Sequence, residues 1–563
     1  MADGHGGGVR VVGGFGALPV SDHQPVAAPG AFRLAIIGDF GGDGTGLPHS
    51  LTHDDLNALP GRLGVNIKAV VPNRLGSASP SIGVTIPIGT LRDLDPIAAT
   101  GHVPEIAAAE AFLTHRDPRG ATSAAIDKVT ALVQRPISQP VGGILQPSAE
   151  DDDAISRLLS IVDTPTAPAD GRQAVSALMS AVVGNKTSES RAFPDLPEAR
   201  ALIDAQRRDI VTHPAWIAVE AAWRGLKVLL SALDARMPVA IEIRDVRRGE
   251  LAQQLPAMLA ESNEAFAPGL GAAVVLGAFG SSPADLDQLD QLAAAAEMGG
   301  VPVMLSLSAD FFGAEPQRVA RMDHPGALLE GPAYNGWRGL RQRDESQWLT
   351  ALWNDVLLRE ETNIAPALWG EPAIMAAALL LRSVARTGWP SEILGPDAAI
   401  TGLEVATTDI GGGRTAASPL RALITYDAAR SLAQSGVAAL AARPDRDHVF
   451  LVSAPTLFDA SHSGHANSDE AGRTTSLPYH LVTARFQQTL AGLLAGVTTF
   501  DPETLATRVE HLLRELLLST GPGATADVQV IDEPAGAALH VSVHFGRNVL
   551  DGVGLDFQIP ARR

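Results

Sequence analysis

No cysteine occurs among the 563 residues, so there is no disulfide framework and no thiolate nucleophile, which fits a cytoplasmic protein. Aromatic residues are scarce, at 4% against 45% apolar, so the core must be mostly Ala, Leu, Val and Ile. Long apolar runs are missing: the most apolar stretch, Pro372 to Leu381, covers half of the roughly 20 residues a spanning helix needs. The opening Met1-Ala-Asp-Gly-His-Gly-Gly-Gly lacks the charged-then-apolar layout of a secretory signal. Positive charge is also short, with 43 Lys and Arg against 63 Asp and Glu and a formal net charge of -20. So acidic a surface repels phosphate backbones, which argues against a nucleic-acid partner. A soluble intracellular chain of about two to four domains, with no membrane insertion, is what these absences leave.

Along the chain, residues 1–31 are rich in Gly, Ala and Pro and read as a flexible N-terminal arm with a short strand at Val9 to Val12. Order begins at Phe32-Arg-Leu-Ala-Ile-Ile-Gly-Asp-Phe40, a β-branched run closing in a Gly-rich turn, as a buried strand does. A helical piece is expected over Thr52 to Leu59, capped by Thr52 or Asp54, then strands at Asn66 to Val71 and Ser81 to Ile88. Leu91-Arg-Asp-Leu-Asp-Pro96 opens a helix running to about Thr114, with Asp95 as cap and Pro96 in the first turn. Residues 119–195 read as a linker with short helices, interrupted by Pro- and Asp-rich stretches. Beyond them, Leu233 to Arg244 turns into a strand, and Ala272 to Phe279 and Pro302 to Ser308 look like buried parallel strands joined by a crossover helix at Asp285 to Met298. Near the end, Asp527 to Ile531 and Ala538 to Phe545 read as a hairpin. The fold class is mixed, α/β with α+β character.

Motifs that carry chemistry are weak. Gly38-Asp-Phe-Gly-Gly-Asp-Gly-Thr-Gly46 follows a strand, but it lacks the Lys-Ser/Thr of a phosphate loop, and its G-x-G-x-G spacing runs into Leu47-Pro48, not a helix. Asp39 and Asp43 are spaced too far apart for a phosphatase loop, so a structural turn is the reading. His462-Ser-Gly-His465, with Asp469 and Glu470, has no second ligand pair and reads as a solvated loop. His540 and His544 would lie about 13 Å apart on one strand face, too far to chelate together. No G-x-S-x-G elbow is present. Neither a cofactor nor a metal is called for.

The segment Asp204-Ala-Gln-Arg-Arg-Asp-Ile-Val-Thr-His-Pro-Ala-Trp-Ile-Ala-Val-Glu-Ala-Ala-Trp-Arg-Gly-Leu-Lys-Val-Leu-Leu230 says more. It reads as a helix with a patterned apolar face, placing Trp216, Glu220, Trp223 and Arg224 on one side. Both tryptophans fit a core stripe, and Glu220 with Arg224 a surface pair. Gly225 beside Arg224 would admit another backbone, which opens a buried ion-pair or interface role for Arg224.

This segment resembles the signature of the large contractile-sheath subunit of type VI secretion. Further motifs keep that family's order over about 360 residues: Trp337-Arg-Gly-Leu-Arg341, Leu368-Trp-Gly370, Arg386-Thr-Gly-Trp389, Gly411-Gly-Gly413, Leu423-Ile-Thr-Tyr-Asp427, Ser431 to Gly436, Ser476-Leu-Pro-Tyr-His-Leu481 and Arg485-Phe486. The front end, Phe32 to Phe40, Asn66-Ile-Lys68 and Leu91 to Pro96, is similar to the small sheath subunit over about 85 residues. A fusion is implied, with a small-subunit-like domain at 32–118 and a large-subunit-like region at 196–563. The stretch Asn354 to Asn363 departs from the family's pattern and reads as a diverged surface.

The resemblance implies a multi-domain contractile tail-sheath fold that exchanges edge strands between protomers, with no enzymatic activity. It implies a helical homopolymer around an inner tube protein, baseplate proteins as partners, and room for a recycling AAA+ unfoldase. Candidate structural and assembly residues are Asp39, Phe40, Trp216, Glu220, Trp223, Arg224, Gly225, Trp369, Trp389, Tyr479, Arg485 and Phe486. Two alternatives stay open: a baseplate or scaffold component that does not polymerise, and an α/β enzyme using the strand ends near Gly277, Ser306 or Asp310.

Overall fold

The computed structural model describes residues 31–75, 79–114, 196–233, 239–260, 269–462, 474–495, 501–518, 520, 522–533, 536–546, 549 and 554–560. The arm with its strand at Val9 to Val12, the linker at 119–195 and the loop from His465 to Glu470 therefore lie outside the described residues. The strands are β1 (Phe32–Gly38), β2 (Pro48–Ser50), β3 (Asn66–Pro72), β4 (Ser81–Pro87), β5 (Val239–Asp245), β6 (Ala272–Phe279), β7 (Val303–Leu307), β8 (Leu349–Trp353), β9 (Val356–Arg359), β10 (Leu368–Gly370), β11 (Ala406–Gly411), β12 (Arg414–Ser418), β13 (Val437–Ala441), β14 (Phe450–Leu451), β15 (Thr525–Glu533), β16 (Gly536–His544) and β17 (Gly554–Pro560). With helices packed on them, they make a mixed α/β structure.

An eight-stranded sheet in the order β14-β13-β8-β7-β6-β1-β5-β2 organises the molecule. From β13 to β5 the neighbours are parallel, and antiparallel β14 and β2 close the two edges. Strands covered on both faces read as near-continuous apolar runs, which is why Ala272 to Phe279 and Val303 to Leu307 carry so little polarity. Alternation then sorts their side chains. Leu34, Ile36, Val274, Met304 and Leu352 meet the helices Pro214–Ser231 and Pro372–Thr387. Ala35, Ile37, Val275, Leu305 and Ala351 share a cluster with the helices Leu251–Ala260, Pro283–Gly299 and Tyr426–Gln434. The Pro283–Gly299 helix is the expected crossover between β6 and β7, begun by the Ser282 hydroxyl, which accepts from Asp285 N–H, and ended by Gly300.

β1 runs between β5 and β6, pairing with β5 from Phe32–Val239 to Gly38–Asp245 and with β6 from Leu34–Ala272 to Ile37–Val275. Residues 32–38 thus fill the middle of a sheet whose other strands come mostly from the region after 196. The front end and the later region build one sheet and share the cores on both of its faces.

Several sequence expectations are corrected, mostly by proline. The helix from Leu91 to Thr114 is three pieces: a 3₁₀ turn Leu91–Leu94 and α-helices Pro96–Thr100 and Pro104–Thr114. Pro96 and Pro104 have no N–H, so each can open a helix but not continue one. Asp95 caps as expected, accepting from Ile97 and Ala98 N–H at 3.0 Å. Asp204 to Leu230 spans two helices, Leu196–Val211 and Pro214–Ser231, with the break at His213-Pro214. Over Thr52 to Leu59 the chain makes a turn closed by Asp55 N–H on Thr52 Oγ1 at 3.1 Å, and a helix forms only at Leu59–Arg62. Leu423 to Asp427, which the family likeness reads as a strand, is not one; Thr425 caps the Tyr426–Gln434 helix there. The C-terminal hairpin has a third strand, β17, giving the order β15-β16-β17.

Candidate functional site

Glu220 is the hub of the conspicuous helix. Trp216, Glu220 and Trp223 share its inner face, and none of the three has any exposed surface. Burying a carboxylate is costly unless its charge and its oxygens are satisfied. Here the oxygens accept from Trp216 Nε1 at 2.8 Å, Arg224 Nε at 2.7 Å and Arg359 Nε at 2.8 Å, with Arg359 Nη2 at 3.3 Å. The expected surface pair is therefore buried at its acidic end and shared by two arginines. Arg224 stays a quarter exposed and reaches Leu94 O at 3.4 Å, tying the helix to the front end of the chain. Gly225 meets the Ile374 side chain at ordinary contact distance, so it admits a helix side chain and not a second backbone. Arg359 escaped sequence reading because it lies in the stretch taken as diverged surface. In fact Val356, Leu357 and Leu358 there are buried, and Asn354 is buried with its amide on Ala422 O and Leu440 O.

Trp223 binds the loop after β1. Its Nε1 donates to Phe40 O at 3.0 Å, and the two rings meet edge to face at 5.7 Å. Asp39 is exposed and accepts from Gly41 N–H at 2.9 Å. The loop does cradle an anion, but that anion is the chain's own Asp245. Its carboxylate accepts from Phe40 N–H and Gly44 N–H, both at 2.8 Å. Burial pushes this carboxyl up while the two amides hold it down. The structural-turn reading of Gly38 to Gly46 holds. Replacing Asp245 by Ala should strip both amides of their acceptor and cost about 2–3 kcal/mol, read as a fall in unfolding midpoint, with Asp245→Asn recovering part of it.

The remaining candidates sit elsewhere. Trp369 is half-buried under the Arg421 guanidinium, 5.1 Å from its ring, in a cleft of about 400 Å³ that Arg318, Arg321 and Asp409 also line. Trp389, Tyr479 and Phe486 belong to a C-terminal core with Leu539, Val541 and Phe545, where Trp389 meets Phe545 at 5.6 Å. Arg485 is buried beside them and donates to Gln488 Oε1 at 3.2 Å; burial lowers its guanidinium from its ordinary range. The candidate residues are thus divided between the core beside the Pro214–Ser231 helix, the C-terminal core and the Trp369 cleft, and the structure does not bring them into one site.

The strand ends invoked for an enzyme do not converge either. Ser306 is buried and accepts from Ala373 N–H at 3.2 Å, while Asp310 is exposed. Glu371, which sequence reading missed, takes the Gly277 N–H at 2.7 Å. His540 is half-buried and His544 exposed. Among the described residues no three His, Asp or Glu side chains gather as metal ligands, and no helix is long and apolar enough to cross a membrane.

Residues 197–367 match the family described as VipB: EvpB/VC_A0108, tail sheath N-terminal domain. That segment contains Glu220, Arg224 and Arg359, the whole of the buried node. The chain is also similar to the type VI secretion system sheath protein TssC1 of Pseudomonas aeruginosa, 24% identical over 329 residues. The match covers 51% of this chain and 65% of that protein. The similarity is thus to a tail sheath protein, of which the match spans less than two thirds. Among solved structures, a chain of the 6-fold symmetrised anti-feeding prophage baseplate matches over 61% of this chain and 77% of its own, at 11% identity and a TM-score of 0.34, a slight likeness.

Proposed function

We propose that this chain is a structural protomer of a contractile type VI secretion sheath, which polymerises around an inner tube and contracts to propel it. The observation that carries this reading is the tail sheath match over residues 197–367. Its buried Glu220 node is a packing device with no substrate-facing group. The proposed partners are further copies of the chain, the inner tube protein and baseplate proteins, with a recycling unfoldase acting on the assembled tube in the cytoplasm. Neighbours would complete one another's small sheets by donated strands, and head-to-tail contacts that do not close produce filaments.

The fusion reading, with residues 32–118 standing for the small subunit, draws support from the position of β1. A strand paired on both sides cannot leave without opening the sheet. Were that strand supplied by a separate chain, the two would be obligate partners, and covalent linkage fixes their ratio at one to one. The exposed edge of Arg224 is then a proposed contact between protomers.

Electron microscopy of negatively stained protein, expressed alone and with its tube protein, tests the reading. Hollow tubes are expected, and Arg224→Met, which leaves Arg359 to balance Glu220, is expected to shorten or abolish them while leaving the monomer folded. Discrete monomers under both conditions would remove the polymer from consideration.

A further inference from the structure

One wall of the cleft of about 400 Å³ beside Trp369 is β11, which contributes Ala406, Thr407, Thr408 and Asp409. β11 belongs to a sheet of two strands, paired antiparallel with β12 through Thr407–Ala417 and Thr408–Ala416. On the far side of β12, Ala417 is already bonded. Its C=O accepts from Asp445 N–H at 2.9 Å, and its N–H donates to Asp445 Oδ1 at 3.0 Å. Both groups of Ala417 therefore turn away from β11. In an antiparallel ladder such a residue stands opposite one whose own N–H and C=O turn outward on the other side. That residue is Thr407, so its N–H and C=O face the cleft. The same alternation turns the Asp409 C=O outward, where Arg321 Nη2 donates to it at 2.8 Å. Thr407 is exposed, and among the described residues its two outward groups have no partner.

The other walls are charged and held in place. Arg421 lies 5.1 Å over the Trp369 ring, pairs with Asp355 at 3.1 Å, and its C=O accepts from Gln317 Nε2 at 3.0 Å. Arg321 pairs with Asp409 at 2.8 Å. Arg318, on the helix Pro316–Ala320, is exposed and makes no ion pair among the described residues. Three arginines against two acids, Glu315 and Asp409, make the lining locally positive on a chain whose net charge is -20. A guanidinium presents its donors in a fork that matches a carboxylate.

We propose that this cleft binds an extended peptide segment of another chain that carries an acidic side chain. One residue of the segment exchanges both backbone bonds with Thr407, and a neighbouring carboxylate takes Arg318. The backbone bridge gives affinity without regard to sequence, and the arginine selects for acid. Because Arg321 already holds the Asp409 C=O, the bridge is confined to one residue of β11, so the contact is weak and reversible. It stands apart from the sheath reading, since both halves of the site lie within one chain.

Fluorescence anisotropy tests it on the full chain, with a dye-labelled, end-blocked Thr-Val-Glu-Val-Thr peptide as probe. The probe should bind about tenfold more tightly than its Gln counterpart, and Arg318→Gln should abolish that difference. Thr407→Pro deletes an N–H that the β12 ladder does not use, so it should weaken both peptides while Thr407→Ala weakens neither. Should Thr407→Pro fail to fold, N-methylation of alternate residues of the probe breaks the same bridge from the other side. Equal binding of the Glu and Gln peptides, undiminished binding of the N-methylated ones, or no binding at millimolar peptide would each overturn the proposal. Succinate binding as tightly as the Glu peptide would make this a small-anion pocket and overturn it too. Whether tubes assemble does not enter these readouts.

Discussion

Glu220→Ala will lower the free energy of unfolding by about 3–5 kcal/mol, because it leaves buried cations without their partner. Two guanidinium groups and one indole N–H converge on that carboxylate, and Arg359 has only 11% of its side chain exposed. Removing the anion strands Arg359 and Trp216 Nε1 in a place water reaches poorly. Glu220→Gln should cost less, since an amide oxygen still accepts one bond, but its NH2 would face two cations. Arg359→Met should cost least, because Arg224 remains to balance the charge. Urea unfolding followed by tryptophan fluorescence ranks the three. A loss below about 1 kcal/mol for Glu220→Ala would show an exposed pair of the ordinary kind.

Acidification will remove about 3 kcal/mol of stability through one imidazole, His480. The ring is fully buried against Trp348 at 4.9 Å, its Nε2 has no hydrogen-bond partner, and burial pulls its pKa from 6.5 to about 4. The folded chain therefore resists a proton that the unfolded chain accepts. The contribution is present above pH 6.5 and is lost as pH falls through about 4. His480→Phe should flatten this acid limb in a series of unfolding midpoints, and an unchanged limb would place the cause elsewhere. Glu371 acts with the opposite sign. Its folded pKa is raised from 4.5 to about 7, so its contribution is full below 4.5 and lost as pH rises through about 7. The two groups together predict a stability maximum between them.

Much of this architecture was legible in the residues. The β6 run Ala272 to Phe279 and the crossover helix read correctly because apolar runs and a Ser-Pro helix start are local signals. The tryptophans at 216 and 223 read as core for the same reason: spacing along one helix decides which side a residue faces. Helix continuity was misjudged at Pro104 and Pro214, where a strong apolar pattern runs straight through a residue that cannot donate.

The sites were less legible, since their partners are far apart in the chain. Asp245 meets the loop at Phe40 and Gly44 across about 200 residues of sequence, and nothing local marks it as the anion that loop would hold. Arg359 reads as a surface charge until β9 carries it to Glu220, 139 residues away. Glu371 looks like an ordinary residue before a proline, and only the bulge at Gly277 gives it a partner.

By itself, then, the sequence determined the main strands, the apolar faces and the likeness to a sheath component, because periodicity and motif order are properties of neighbouring residues. Tertiary structure alone decided that β1 fills the centre of the sheet and that Asp245 and Glu220 are enclosed. Burial of a charge depends on which distant groups surround it, and that is fixed only when the strands have taken their order.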